Sequence, residues 1–190
     1  MSSYHPLTTY RPRKFWWRRW TMRSAVAAVL ATHTAEPSVL LMERTTRVGD
    51  PWSGHMSFPG GRADLTDTNV YQTAIRETAE ELGLNLAAEG EYLGRLSDIM
   101  ARPRSWRRLP MIVTPFVFHI TAEPQWQLSP HEVASVVWVP LSFLANPANR
   151  QTMTWQRGKV TLTLPCYWYE GHRIWGLTLK MLDELVGVVG

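Results

Sequence analysis

Apolar and polar positions along this chain change period several times, and each change marks an element. Residues 24–32 and 38–43 are short apolar runs joined by a turn containing Glu36-Pro37, which predicts two strands in a hairpin. The stretch from Gly49 to Gly61 is rich in Gly, Pro and Ser and reads as an ordered loop. Over residues 69–82 the period lengthens. Tyr71, Ile75, Thr78 and Leu82 recur at steps of 4, 3 and 4 and share one helical face. Asp67 or Thr68 is the candidate cap of this helix, and Gly83 is placed to end it. Strands are expected at 91–98, 111–120 and 134–140. Short runs at 159–164, 166–170 and 173–175 predict a hairpin around Glu170-Gly171, and 177–187 predicts a second amphipathic helix. Strands on both sides of one strong helix, with no internal repeat or linker, indicate a single α/β domain over residues 24–190. Residues 1–23 read as a separate arm or a loosely packed extension.

Composition narrows the classes. A chain of 190 residues is long enough to bury a core without staples. A single cysteine, Cys166, excludes an internal disulfide framework and any multi-Cys metal site, and reads as a packed thiol. Arg18-Arg19 followed by the apolar run 25–31 superficially resembles a secretory signal. The run is only seven residues, however, and continues into strand-like sequence. No stretch reaches the ~18–20 apolar residues of a membrane span. The expectation is a cytoplasmic protein with no membrane partner.

Charge changes the picture further. The net charge is +4, but six of the twenty basic residues (Arg11, Arg13, Lys14, Arg18, Arg19 and Arg23) precede the first acid, Glu36. Fourteen bases and sixteen acids follow, so the rest of the chain is −2. Residues 64–91 hold seven acids against Arg76, whereas residues 95–108 hold five Arg against Asp98. Acidic beside basic segments suit a site for metal cations and phosphates.

The chemistry concentrates between Gly54 and Leu84. Glu77, Glu80 and Glu81 are related by i,i+3 and i,i+4 and project from one edge of the predicted helix, about 120° from its apolar face. Like charges held together repel unless they are solvated or share cations, and hard cations such as Mg²⁺ prefer carboxylate oxygens. Arg76 can fix the orientation of one of these carboxylates. Upstream, Phe58-Pro59-Gly60-Gly61 is a stiff-then-permissive loop that allows close backbone approach.

Gly60-Gly61 followed by Arg76-Glu77-Thr78-Ala79-Glu80-Glu81-Leu82-Gly83-Leu84 resembles the signature of the Nudix hydrolase superfamily: Gly, five residues, Glu, seven residues, then Arg-Glu-U-x-Glu-Glu-x-Gly-U, where U is bulky and apolar. The chain departs from it in three ways. Fourteen residues lie between Gly61 and Arg76, one more than the pattern has. The first Glu is missing, its place falling on Asp67 counted forward or on Thr68 counted back. Thr78 stands at an apolar position. Residues 54–61 (GHMSFPGG), 113–116, 129–141 and 174–178 resemble the branch that contains coenzyme A pyrophosphatases. That branch's coenzyme A motif is only partly matched: Leu40, Leu41 and Arg44 agree, but Met42 replaces Thr and Val48–Ser53 carries no Arg.

The resemblance implies a Nudix-type α/β/α sandwich with a mixed β-sheet. It implies Mg²⁺ or Mn²⁺ bound by Glu77, Glu80 and Glu81, with the Gly60 carbonyl as a further ligand. Glu81 and Glu132 are the candidate general bases, and Arg76 completes the catalytic set. Arg44, His55, Gly61 and Arg104 are candidate substrate contacts, Arg104 with Arg102, Arg107 and Arg108 as a group for distal phosphates. His131 is a weaker candidate for phosphate contact.

The implied reaction is hydrolysis of a pyrophosphate bond in a nucleoside diphosphate derivative, a small-molecule substrate. Coenzyme A or its derivatives lead, with ADP-ribose, sugar nucleotides and nucleoside triphosphates behind. The alternative of another class is a non-catalytic module in which the basic aromatic arm, with Phe15, Trp16, Trp17 and Trp20, binds nucleotide or nucleic acid. The intact acidic triad argues against it. The arm is expected instead to pack on the domain or on a second copy of the chain in a homodimer.

Overall fold

The apolar run that superficially resembles a signal core is the centre of a sheet. In the computed structural model, which describes residues 7, 9–46, 53–101, 110–157 and 160–189, it lies within β1 (Met22–Ala31) and is buried on both faces. The hairpin partner is β2 (Ser38–Arg44), with Leu30 opposite Val39 and Ala31 opposite Ser38. The chain continues through β3 (Met56–Ser57), β4 (Gly60–Arg62), α1 (Val70–Leu82) and the short α2 (Leu86–Glu89). It then forms β5 (Glu91–Arg95), β6 (Ile99–Ala101), β7 (Met111–Ile120) and β8 (Val133–Pro140). The last elements are α3 (Leu141–Ala145), β9 (Gln151–Arg157), β10 (Val160–Tyr169), β11 (His172–Trp175) and α4 (Gly176–Val189).

Eight strands form one mixed sheet along the path β3-β2-β1-β7-β5, with β4 on β1, β6 on β7 and β8 on β2. The β1–β7 pair is parallel and the others are antiparallel. Alternation along β1 sorts its side chains between two cores. Ala25, Ala27, Val29 and Ala31 pack with Ala74 and Leu82 of α1. Val26, Ala28 and Leu30 pack with Leu179, Met181, Leu182 and Leu185 of α4. A helix thus covers each face, which makes the α/β/α sandwich and explains why β1 is apolar without alternation. A separate three-stranded sheet, β11-β10-β9, carries the expected Glu170-Gly171 hairpin plus β9, which the sequence pattern did not predict.

Other boundaries differ in instructive ways. The expected strand 91–98 ends at Arg95 as β5, with a register shift between Tyr92 and Gly94 against β7, and β6 follows as a further short strand on β7. The cap of α1 is neither Asp67 nor Thr68 but Asn69, whose Oδ1 accepts from Tyr71 N at 2.9 Å and Gln72 N at 3.2 Å. Cys166 is fully buried opposite Trp175, as a packed thiol.

The described part of the arm is docked rather than loose. Leu7 enters the α4-side core, and Tyr10 Oη donates to Glu184 at 2.6 Å. Arg13 N–H donates to Ser97 Oγ, and Asp98 N–H donates to the Arg13 carbonyl. The Asp98 carboxylate is wholly buried and accepts from Phe15 N–H, Arg18, Arg95 and Thr114 Oγ1. Burial pushes its carboxyl up, but these donors prevail and hold it below the ordinary range. A 3₁₀ turn, Trp16–Trp20, then leads into β1. Among the described residues no helix is long and apolar enough to cross a membrane.

Candidate active site

The loop before α1 is fixed from three sides. Phe58 is in the core, the Pro59 carbonyl accepts from Ala27 N–H at 2.9 Å, and Gly60, Gly61 and Arg62 pair with Val26, Ala25 and Ser24 of β1. Gly60 has φ +146°, and a Cβ there would lie 2.3 Å from the Ala25 carbonyl oxygen. A Cβ on Gly61 would lie 2.3 Å from Cδ of Glu77. Both glycines are therefore required by close approach, one to backbone and one to a carboxylate.

The three glutamates of α1 share one helix edge but differ in burial. Glu81 is 3% exposed and accepts from Gly60 N–H at 2.8 Å. Burial raises its carboxyl to about 8, opposed by that hydrogen bond and by Arg44 and reinforced by the charges of Glu77 and Glu132. Glu77 is half-buried against Gly61 and is likewise raised by burial, with Arg76 opposing. Glu80 is exposed and engages Arg76 at 2.9 Å. Among the described residues no three His, Cys, Asp or Glu side chains already converge as an ion-holding group.

Arg76 organises this end of the helix. Its Nε and Nη2 each donate to Asp67 at 3.0 Å, and it also contacts Glu77, Glu80 and the Arg62 carbonyl. Asp67, on which the place of the signature's first Glu falls when counted forward, is thus bound to Arg76. The Arg76 guanidinium holds the Asp67 carboxyl far below the ordinary carboxylate range. Thr78, at the apolar position of the signature, is buried with its hydroxyl donating to the Ala74 carbonyl at 2.7 Å.

Glu132 reaches the site through the end of α1. Gln127 N–H and Ser129 N–H donate to the Leu82 and Glu81 carbonyls, which would otherwise be unpaired at the helix terminus. Glu132 N–H then donates to Ser129, and the Glu132 carbonyl accepts from Thr45 N–H at 3.0 Å. This turn places the Glu132 charge where it acts on both Glu77 and Glu81. Arg44, at the end of β2, acts on Glu81 from the other side. His55, whose carbonyl accepts from Arg44 N–H at 3.1 Å, lines a cavity of about 220 Å³ with Glu43, Trp168, His172, Arg173 and Trp175, and meets Trp175 edge-on at 5.0 Å. His131 lies exposed on the Glu132 turn. Arg102, Arg104, Arg107 and Arg108 lie outside the described residues, as does most of the Val48–Ser53 segment. Sequence spacing carried no signal for Ser129 as the tether, because its role is a backbone bond to a helix end distant in sequence.

The NUDIX domain family model matches residues 21–162. The mitochondrial coenzyme A diphosphatase NUDT8 of Mus musculus is 33% identical over 167 residues, covering 85% of this chain and 76% of that protein. The uncharacterized protein C14C4.10c of Schizosaccharomyces pombe is 40% identical over 115 residues, covering 60% of this chain. The match spans only 35% of that relative's length. Among solved structures, the binary complex of a C. elegans Ap4A hydrolase superposes with a TM-score of 0.53 at 20% identity, covering 64% of this chain and 81% of that one, a likeness of fold.

Proposed function

The chain belongs to the Nudix hydrolase family, and from that membership we propose that it hydrolyses the pyrophosphate bond of a nucleoside diphosphate derivative with Mg²⁺ or Mn²⁺, coenzyme A or its derivatives being the favoured substrate. The observation that carries this reading is the clamp between the Gly60-Gly61 loop and the carboxylates of Glu77 and Glu81. The name of the mouse relative supports the coenzyme A assignment. ADP-ribose, sugar nucleotides and nucleoside triphosphates are the competing substrates.

The donor set fits a hard divalent cation. Glu77 and Glu81 are oxygen donors whose ionised forms are disfavoured by burial and by the Glu132 charge, a cost that a bound cation would offset. Glu77, Glu80, Glu81 and the Gly60 carbonyl would hold the ion, Glu80 after leaving Arg76. When bound, such an ion supplies neutralisation of the diphosphate charge and a lowered pKa for water. The chain's own residues do the rest. Gly60 N–H holds the Glu81 carboxylate against the loop. Arg76, committed to Asp67, positions Glu77 and Glu80. Glu81 or Glu132 takes the proton of the attacking water as it adds to phosphorus and the bridging oxygen leaves.

Nucleotide-linked diphosphates should be screened with each metal and the products identified. Coenzyme A should yield adenosine 3′,5′-bisphosphate and 4′-phosphopantetheine. Glu81→Gln should lower turnover about 10²–10⁴-fold with an unchanged circular dichroism spectrum. Unchanged turnover in this variant, or none in the wild type on any of these compounds, rejects the proposal.

A further inference from the structure

A second site is built where the arm meets the sheet. Lys14, Arg18 and Arg23, with the rings of Phe15 and Trp16, line an open cavity of about 300 Å³. Its walls are fixed. Phe15 N–H donates to Asp98 at 3.1 Å, Arg18 to the same oxygen at 3.3 Å, and Arg23 is held in β1 opposite Ile112 of β7. The charge there is one-sided. Asp98 is already engaged by Arg95, Arg18, Thr114 and Phe15. Arg23 Nε is buried and has no hydrogen-bond partner among the described residues. Burial, and then the like charge of Arg18, weaken the hold of Arg23 on its proton, with Arg95 adding and Asp98 opposing. A cationic cluster of this kind is completed by an anion that brings several acceptor oxygens.

We propose that this cavity is a phosphomonoester subsite, in which Lys14, Arg18 and Arg23 hold a phosphate dianion while the Phe15 and Trp16 rings wall the organic part of the ligand. Trp16 is 79% exposed, so its ring is available for such contact. The subsite lies within reach of the carboxylates. Arg23 precedes Ser24, which pairs with Arg62 and donates from Oγ to the Gly61 carbonyl at 2.6 Å. Gly61 in turn touches Glu77. With ~3.4 Å per strand residue and ~5 Å between strands, the Arg23 and Gly61 Cα atoms are on the order of 8 Å apart. One nucleotide carrying both a diphosphate and a separate phosphate on its ribose, as coenzyme A does, spans that distance. In naming the substrate as the source of the phosphate, the inference rests on the proposed function. A separate phosphate compound would have the same chemistry.

The test uses the full chain and two pairs of probes. Calorimetry without metal compares adenosine 3′,5′-bisphosphate with 5′-AMP. Turnover with Mg²⁺ compares coenzyme A with coenzyme A lacking its 3′-phosphate. The wild type should prefer the extra phosphate about tenfold or more in both binding and kcat/KM. Lys14→Met and Arg23→Met should each drive both ratios toward one. Lys14 is exposed, so its variant keeps the test open if Arg23→Met fails to fold. Equal affinity of the two nucleotides for the wild type overturns the subsite. A preference in binding without one in turnover overturns the substrate as source and assigns the subsite to a separate phosphate compound. A binding preference with no hydrolysis of either substrate upholds the subsite and rejects the proposed function. Single-stranded RNA binding more tightly than the bisphosphate would overturn the small-molecule assignment.

Discussion

At Gly61 a methyl group would lie 2.3 Å from Glu77 Cδ, the far end of a flexible side chain, whereas at Gly60 it would meet the backbone of Ala25 and Val26. The two adjacent glycines should therefore respond differently to the same change. Gly61→Ala is expected to cost under roughly 1 kcal/mol of stability but to displace the carboxylate and lower turnover on the order of 10²-fold. Gly60→Ala, strained at φ +146° and blocked by backbone, should lose roughly 2 kcal/mol or more. Urea denaturation and steady-state assays on both variants separate the two effects. Asp67 gives a pH signature. Its folded pKa is depressed by Arg76, so its stabilisation is fully present above the unfolded value of about 4 and is lost as pH falls below it. Asp67→Asn should cost about 1 kcal/mol, or 2–4 °C in Tm, at neutral pH and should flatten the acid limb of stability between about pH 4 and 2. A limb of unchanged steepness would refute that role. At this scale the signature exposed Glu77, Glu81 and Gly60-Gly61 directly. It left Asp67 and Thr68 open, because an extra residue in the loop shifts the count, and the contact of Asp67 with Arg76 is not visible in spacing.

Helix α1 shows what periodicity can and cannot tell. Its apolar face, and its end at Gly83, which is left-handed at φ 75°, follow from spacing and from the residue types that stop helices. Its start was ambiguous because Asp67, Thr68 and Asn69 are all capping types in succession. Asn69 takes the cap because Asp67 is spent on Arg76. Asn69→Ala should therefore lower stability by about 1 kcal/mol, with Asn69→Ser restoring most of it in thermal melts, and Thr68→Ala should change little. Strand β9 was illegible for a different reason. Its sequence, QTMTWQR, is largely exposed and alternates only over Met153 and Trp155, too short an apolar signal to mark a strand, and its pairing is supplied by β10. The β1–β2 hairpin was legible because its two apolar runs flank a short turn.

Across the whole molecule, the basic arm that makes the net charge positive is tied to the domain at Leu7, Tyr10 and Arg13, and its Phe15–Arg18 end is held by one buried carboxylate, Asp98. Composition could not reveal this, since the arm and Asp98 are some eighty residues apart and two of the ties use backbone groups. Asp98→Asn leaves Arg18, Arg23 and Arg95 facing one another without an acid, and the Phe15–Arg18 end of the arm should loosen. Trypsin should then cut after Arg13, Lys14 or Arg18 at least tenfold faster than in the wild type, as read by mass spectrometry; equal rates would refute the tie. The parallel pairing of β1 with β7 carries a consequence for synthesis. Each partner in that register is separated by 89 residues, Met22 from Met111 through Ala31 from Ile120. The central strand therefore leaves the ribosome with one edge unpaired, and waits until the following 89 residues have been made before that edge is covered. Non-local pairing of this kind slows folding and exposes an apolar edge to association in the interval. Expression at lower temperature, or with chaperones that shield nascent apolar strands, is accordingly expected to raise the yield of folded protein.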